Sequence, residues 1–264
     1  MRENALLTQS LTLDPVAPGA FSGVADPRFE ANTGMFGGWT AALLLRAVCD
    51  DPRAAGTASS LSVHYVARIP PGTKLRLTVE ALGGSASVSH WRSEVRLEDG
   101  TLAASAAVIL TRRRPSDAAC DWAMPAIVPP ESLASSHPPG PFGAQIDVRA
   151  IHGTPPFARP DLTSLAWVRE TSGRAVDPLQ LAFLADVYAP RVFHLGTAPR
   201  PSSTLTMSLY FLASAEELAA IGDDFVLTEA LGTRIEQAQA GSQARLWSKA
   251  GKLLATTEQL CWFR

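Results

Sequence analysis

The stretch "DPLQLAFLADVYAP", residues 177–190, decides how this chain folds. Asp177 is a residue type that caps helices and Pro178 suits the first helical position, so a helix is predicted to start here and run toward Pro190. Leu179, Leu181, Ala182, Phe183, Leu184, Ala185 and Val187 make it apolar on every side, the pattern of a helix enclosed by other elements. Asp186 breaks that pattern. Unpaired in such a place, a carboxylate would cost several kcal/mol, so it requires polar partners or a water.

Working outward, four strand-like segments follow the helix: "STLTMSLYF" (203–211), "DFVLTEALGTR" (224–234), "QAQAGSQARLWSK" (237–249) and "KLLATTEQLCWFR" (252–264). Two more, "AQIDVRAI" and "LTSLAWVRE", precede it. The first half has the same texture. Residues 5–30 read as one or two strands with turns, and Gly34, Gly37 and Gly38 lead into a second all-apolar helix from Trp39 to Cys49, relieved only by Arg46. Segments 59–68, 73–83, 86–98 and 101–113 then alternate between the turn signals Pro70-Pro71-Gly72, Gly83-Gly84 and Asp99-Gly100, which predicts an antiparallel series.

The halves also match residue by residue. "VEALGG" (79–84) answers "TEALGT" (228–233), and "DGTLAASAAVIL" (99–110) answers "AGKLLATTEQLC" (250–261); Gly100 aligns with Gly251 and Leu102 with Leu253, a constant offset of 151. Between them, Pro115 to Gly143 is rich in proline, serine and small residues and lacks periodicity, as an inter-domain linker over the surface would be. The expected organisation is a unit over 1–114, a linker over 115–143 and a second unit over 144–264, each a sheet curled round one helix.

Composition narrows the function. The 264 residues are 46% hydrophobic and 18% charged, enough for a sizeable core. A formal net charge of -2 leaves no broad basic footprint, which argues against nucleic acid as a partner. Cys49, Cys120 and Cys261 have no CxxC spacing, so neither a disulfide framework nor a zinc site is indicated, and no cofactor is implied. No stretch approaches the ~18 uninterrupted apolar residues of a membrane span, and a cytoplasmic location is the expectation. GxSxG, HExxH and Walker-type loops are absent from the sequence.

Through "GMFGGWTAALLLRAV", "WVRETSGRAVDPLQLAFLADVYAP", "SSTLTMSLYF" and "GKLLATTEQLCWFR", the chain resembles the acyl-CoA thioesterases of the thioesterase II type. The resemblance covers nearly everything except the linker. It implies an α+β double hotdog, a role in lipid metabolism, an acyl-CoA substrate and association into a homo-oligomer. In that family an Asp on the second helix, a Thr at the start of the next strand and a Gln on the last strand hold the hydrolytic water; the matching residues here are Asp186, Thr204 and Gln259. A non-catalytic acyl-CoA or lipid binder, or a hydratase on the same fold, are the alternatives.

Residue patterns bear on each of these positions. Regular alternation puts Gln259 on a largely apolar face with Thr257, Cys261 and Phe263, whereas the position 151 earlier is Val108. Strict alternation points Thr204 away from that face, so it reaches Asp186 only if its strand is bent. The amides of Gly37, Gly38 and Trp39, at the start of the first helix, are the candidate donors to a developing oxyanion. Asp147 and His152 have the D-x4-H spacing of some hotdog hydratases, here read as coincidence. Arg112, Arg113 and Arg114 could meet the phosphates of coenzyme A but are read as a solvated strand end; His64 and His90 are read as exposed or core residues, and His194, in a loop after Arg191, could touch ligand.

Overall fold

The computed structural model describes residues 5–264. Helix α1 (Leu6–Ser10) and strands β1 (Asp14–Ala17) and β2 (Ala20–Val24) come first. The segment "LLTQS", expected to be extended, is therefore helical. Leu7 and Leu11, one turn apart, are both fully buried, and that shared face is better served by a helix than by alternation. The two-residue strands β3 (Glu30–Ala31) and β4 (Gly34–Met35) then lead to α2 (Gly37–Cys49), β5 (Thr57–Tyr65), β6 (Lys74–Gly84), β7 (Val88–Arg96) and β8 (Leu102–Thr111). The second half contributes β9 (Ile146–His152), β10 (Thr163–Glu170), α3 (Pro178–Leu184), β11 (Ser202–Phe211), α4 (Ala215–Ile221), β12 (Val226–Glu236), β13 (Gln239–Ser248) and β14 (Leu253–Phe263).

Twelve strands join in one sheet, in the order β1-β2-β6-β7-β8-β5-β11-β14-β13-β12-β10-β9. Its centre is the antiparallel pair β5–β11, and moving outward from there the two halves present corresponding strands in the same succession. Helices α2 and α3 lie against each other, and one hydrophobic core runs through both units. This is the double hotdog arrangement. Register supports the sequence repeat in detail: Val108 pairs with Leu61 and Trp91, and Gln259, 151 residues later, pairs with Met207 and Ser242.

Two local features place the site. Helix α3 is shorter than expected, ending at Leu184, so Asp186 sits in the turn beyond it and not on the helix. Asp177 caps the other end by accepting from the Gln180 amide. Second, β11 slips register against β14 between Thr204 and Thr206, a bulge that changes which face Thr204 presents. Away from the site, the segment from residue 112 to 129 has no regular secondary structure, and with the residues just after it packs on the second unit. There Met124, Ile127 and Leu133 pack against Trp167, Phe225, Leu227 and Trp247, and the Trp167 indole donates to the Val128 carbonyl at 3.0 Å. No helix among the described residues is long and apolar enough to cross a membrane.

Candidate active site

Two turns meet at the site. One is the start of α2, whose N-cap residue Phe36 offers no side-chain acceptor to the unpaired amides of the first turn. The other is the turn after α3, which carries Asp186. Its Oδ2 accepts the Gly38 N–H at 2.9 Å, so a carboxylate from the second unit caps the helix of the first. Both glycines are required by this close approach. A Cβ at Gly38 would stand 2.3 Å from the Phe183 carbonyl oxygen, and one at Gly37 would stand 2.7 Å from Asp186 Oδ2.

The other carboxylate oxygen belongs to the sheet. Gln259, 4% exposed on β14, donates from Nε2 to Asp186 Oδ1 at 2.8 Å and lies 3.4 Å from Met207 Sδ on β11. Asp186 is thus held on both sides. Burial pushes its carboxyl up from 3.8 to about 6, and the hydrogen bonds from Gln259 and Gly38 pull the other way without cancelling it.

Beside Asp186 is a cavity of about 40 Å³, more than the ~10–15 Å³ that one water needs. Its walls include Asp186, Tyr188, Arg191, Thr204, Ser242, Gln259 and Cys261. Thr204 reaches it because of the bulge, with Oγ1 3.6 Å from Cys261 Sγ. The structure therefore brings Asp186, Gln259, Thr204 and Gly38 together. Of the amides of Gly37, Gly38 and Trp39, expected from the sequence as donors, that of Gly38 is bound to Asp186, and Trp39 is fully buried.

Several neighbours escaped the sequence reading. Tyr65 donates to the Gly37 carbonyl at 3.0 Å, its phenol pushed well above its ordinary value by burial and then by the Asp186 charge. Tyr188 Oη lies 3.3 Å from Ser242 Oγ. These are common residue types on strands and turns; Tyr188 lies two positions after Asp186 and Tyr65 next to His64, but neither carries a signal of its own. The remaining candidates lie apart from the cavity. Asp147 bonds Arg149, Arg169 and Ser135, and His152 pairs with Asp161 at 3.1 Å, so the D-x4-H pair does not meet. Arg113, expected to be solvated, donates to the carbonyls of Phe211, Leu212 and Ala213 at the end of β11. His194 is buried against the Asp161 carbonyl.

Family comparison agrees with this architecture. Residues 25–111 match the model of the acyl-CoA thioesterase N-terminal domain, and residues 119–263 match that of the acyl-CoA thioesterase C-terminal domain. The chain belongs to the acyl-CoA thioesterase family. Among solved structures, this thioesterase family member is similar to a conserved hot dog fold protein of unknown function from Alicyclobacillus acidocaldarius, with a TM-score of 0.92, 28% identity and 98% and 97% of the two chains covered. The tesB protein of Mycobacterium avium subs paratuberculosis superposes with a TM-score of 0.81 at 18% identity, covering 98% of each chain. The acyl-CoA thioesterase II TesB2 of Mycobacterium marinum gives 0.77 at 20% identity, again over 98% of each. No curated protein matches.

Proposed function

We propose that this family member hydrolyses an acyl-CoA thioester to a free acid and coenzyme A, with Asp186 as general base. The observation that carries this reading is the position of the Asp186 carboxylate. It is clamped by Gln259 at 2.8 Å and Gly38 at 2.9 Å and borders a water-sized cavity that Thr204 also lines. A water there can give one proton toward Asp186 while Gln259 Oε1 and Thr204 Oγ1 fix its orientation. A carboxyl with a pKa of about 6 is a stronger base than an ordinary Asp and is still mostly ionised at neutral pH.

The water oxygen attacks the thioester carbonyl carbon as Asp186 takes its proton. The tetrahedral intermediate collapses with cleavage of the C–S bond, and Asp186 returns the proton to the departing sulfur. Gly38, whose N–H is engaged by Asp186, acts in this scheme as an anchor for the base. The separation of Asp147 from His152 favours hydrolysis over the hydratase alternative.

The test is release of free thiol from a panel of acyl-CoAs. Wild-type protein is expected to turn over at least one of them, and Asp186→Asn to be slower by about 10²–10⁴-fold, the usual worth of a general base. Binding without thiol release by the wild type would instead identify a non-catalytic binder.

A further inference from the structure

At the cavity, the proposed mechanism leaves the buried charge of Arg191 unused. Arg191, 2% exposed, begins a short 3-10 helix (Arg191–Leu195) five residues after Asp186 and lines the same cavity. Its four hydrogen bonds all go to uncharged oxygens. Nε and Nη2 donate to the Ala189 carbonyl at 3.1 and 2.7 Å, and Nη1 donates to the Leu162 carbonyl at 3.2 Å and to Ser164 Oγ at 3.0 Å. A guanidinium has five N–H groups, so one on Nη2 is left over. The Tyr188 ring, 5.1 Å from the guanidinium carbon, closes one side. Burial lowers the guanidinium to about 10, which still leaves it charged at neutral pH.

A buried cation held only by neutral acceptors is costly, and an anion would relieve that cost. Thioester hydrolysis makes one beside it: negative charge develops on the acyl oxygen and ends on the carboxylate product. The Gly38 amide is already committed to Asp186, so that donor is not free for the acyl oxygen. We infer that Arg191 is a catalytic residue that binds the acyl oxygen, donating from Nη2 to the thioester carbonyl, to the oxyanion and then to the product carboxylate. As water adds to the carbonyl carbon, the C=O pair moves onto the oxygen held by Arg191; when that pair returns, the C–S bond breaks and its electrons leave with sulfur, which takes the proton from Asp186. Charge-assisted donors in an enclosed site are the strong ones.

This assignment rests on reading the site as a thioesterase, and the experiment separates the two. In Asp186→Asn protein, with no carboxylate opposing an anion, NMR titration is expected to show acetate binding about 10-fold more tightly than acetamide, and that preference is lost when Arg191→Met is added. In otherwise wild-type protein, Arg191→Met is expected to lower kcat by about 10²–10³-fold with little change in KM, and Arg191→Lys to recover part of the loss. A folded Arg191→Met enzyme with wild-type kcat would overturn the assignment. So would equal affinity for acetate and acetamide in Asp186→Asn protein, a result that decides the matter even where Arg191→Met fails to fold. Acetate preference in a chain that hydrolyses no thioester would uphold the anion site and sink the reaction.

Discussion

Asp186 is held by good hydrogen bonds in a place that disfavours its charge, and the balance has a definite sign. In the unfolded chain the carboxyl ionises near 3.8; in the folded protein it ionises near 6. Between those values the folded state keeps a proton that the unfolded state has lost, so stability falls as pH rises through that window and is flat above it. A shift of about two units corresponds to about 3 kcal/mol. The stability of Asp186→Asn relative to wild type is therefore expected to rise by roughly that amount between about pH 4 and pH 7, measured by denaturant unfolding. The same group predicts that wild-type kcat/KM climbs with pH through an apparent pKa of about 6, because only the ionised form can accept the proton. Asp186 was legible in the sequence because a charge stands out on an apolar helix, and Gln259 because the family resemblance points to that strand and an amide there falls on a largely apolar face. Thr204 was half legible: its spacing fitted, but its facing depends on a bulge that strand alternation cannot show. Arg191, Tyr188, Tyr65 and Ser242 were not legible, since nothing local distinguishes them from ordinary turn and strand residues.

At the scale of elements, the site exists because one of two matched strand triplets carries two polar residues. In the first unit Leu61, Val108 and Trp91 lie side by side and all are buried; in the second the corresponding residues are Met207, Gln259 and Ser242. The indole of Trp91 thus stands where the second unit has the small hydroxyl of Ser242 on the cavity wall. Ser242→Trp is expected to fill that space, lowering thioester hydrolysis at least about 10²-fold at a stability cost of about 1–3 kcal/mol for overpacking. Steady-state kinetics beside a denaturation curve would show whether activity falls far more than stability. Helix position was predictable from the apolar run and the Asp177-Pro178 start, but its early end was not. The two hydrogen bonds that fix Asp186 come from α2 and β14, and neither is local.

At the scale of the molecule, the repeat offset revealed two similar units, while the way they join was hidden. They share an edge: β5 pairs with β11 at the middle of one continuous sheet, Ser62 Oγ lies 3.1 Å from Ser208 Oγ across that seam, and α2 packs on α3. Serines and threonines on outward strand positions look the same at an exposed edge as at a paired one. Because the core and sheet are continuous, unfolding is expected to be a single calorimetric transition, and residues 1–114 alone are expected not to fold, having lost the strand beside β5 and the Asp186 cap on α2. Two separate transitions would show the units to be independent. In the proposed mechanism the attacking group is a water activated by Asp186, and single-turnover hydrolysis in ¹⁸O-labelled water tests that most directly. The prediction is one labelled oxygen in the acid released on the first turnover and none in the protein; unlabelled acid with label in the Asp186 side chain would mean that the carboxylate itself attacks the thioester, contradicting the general-base reading.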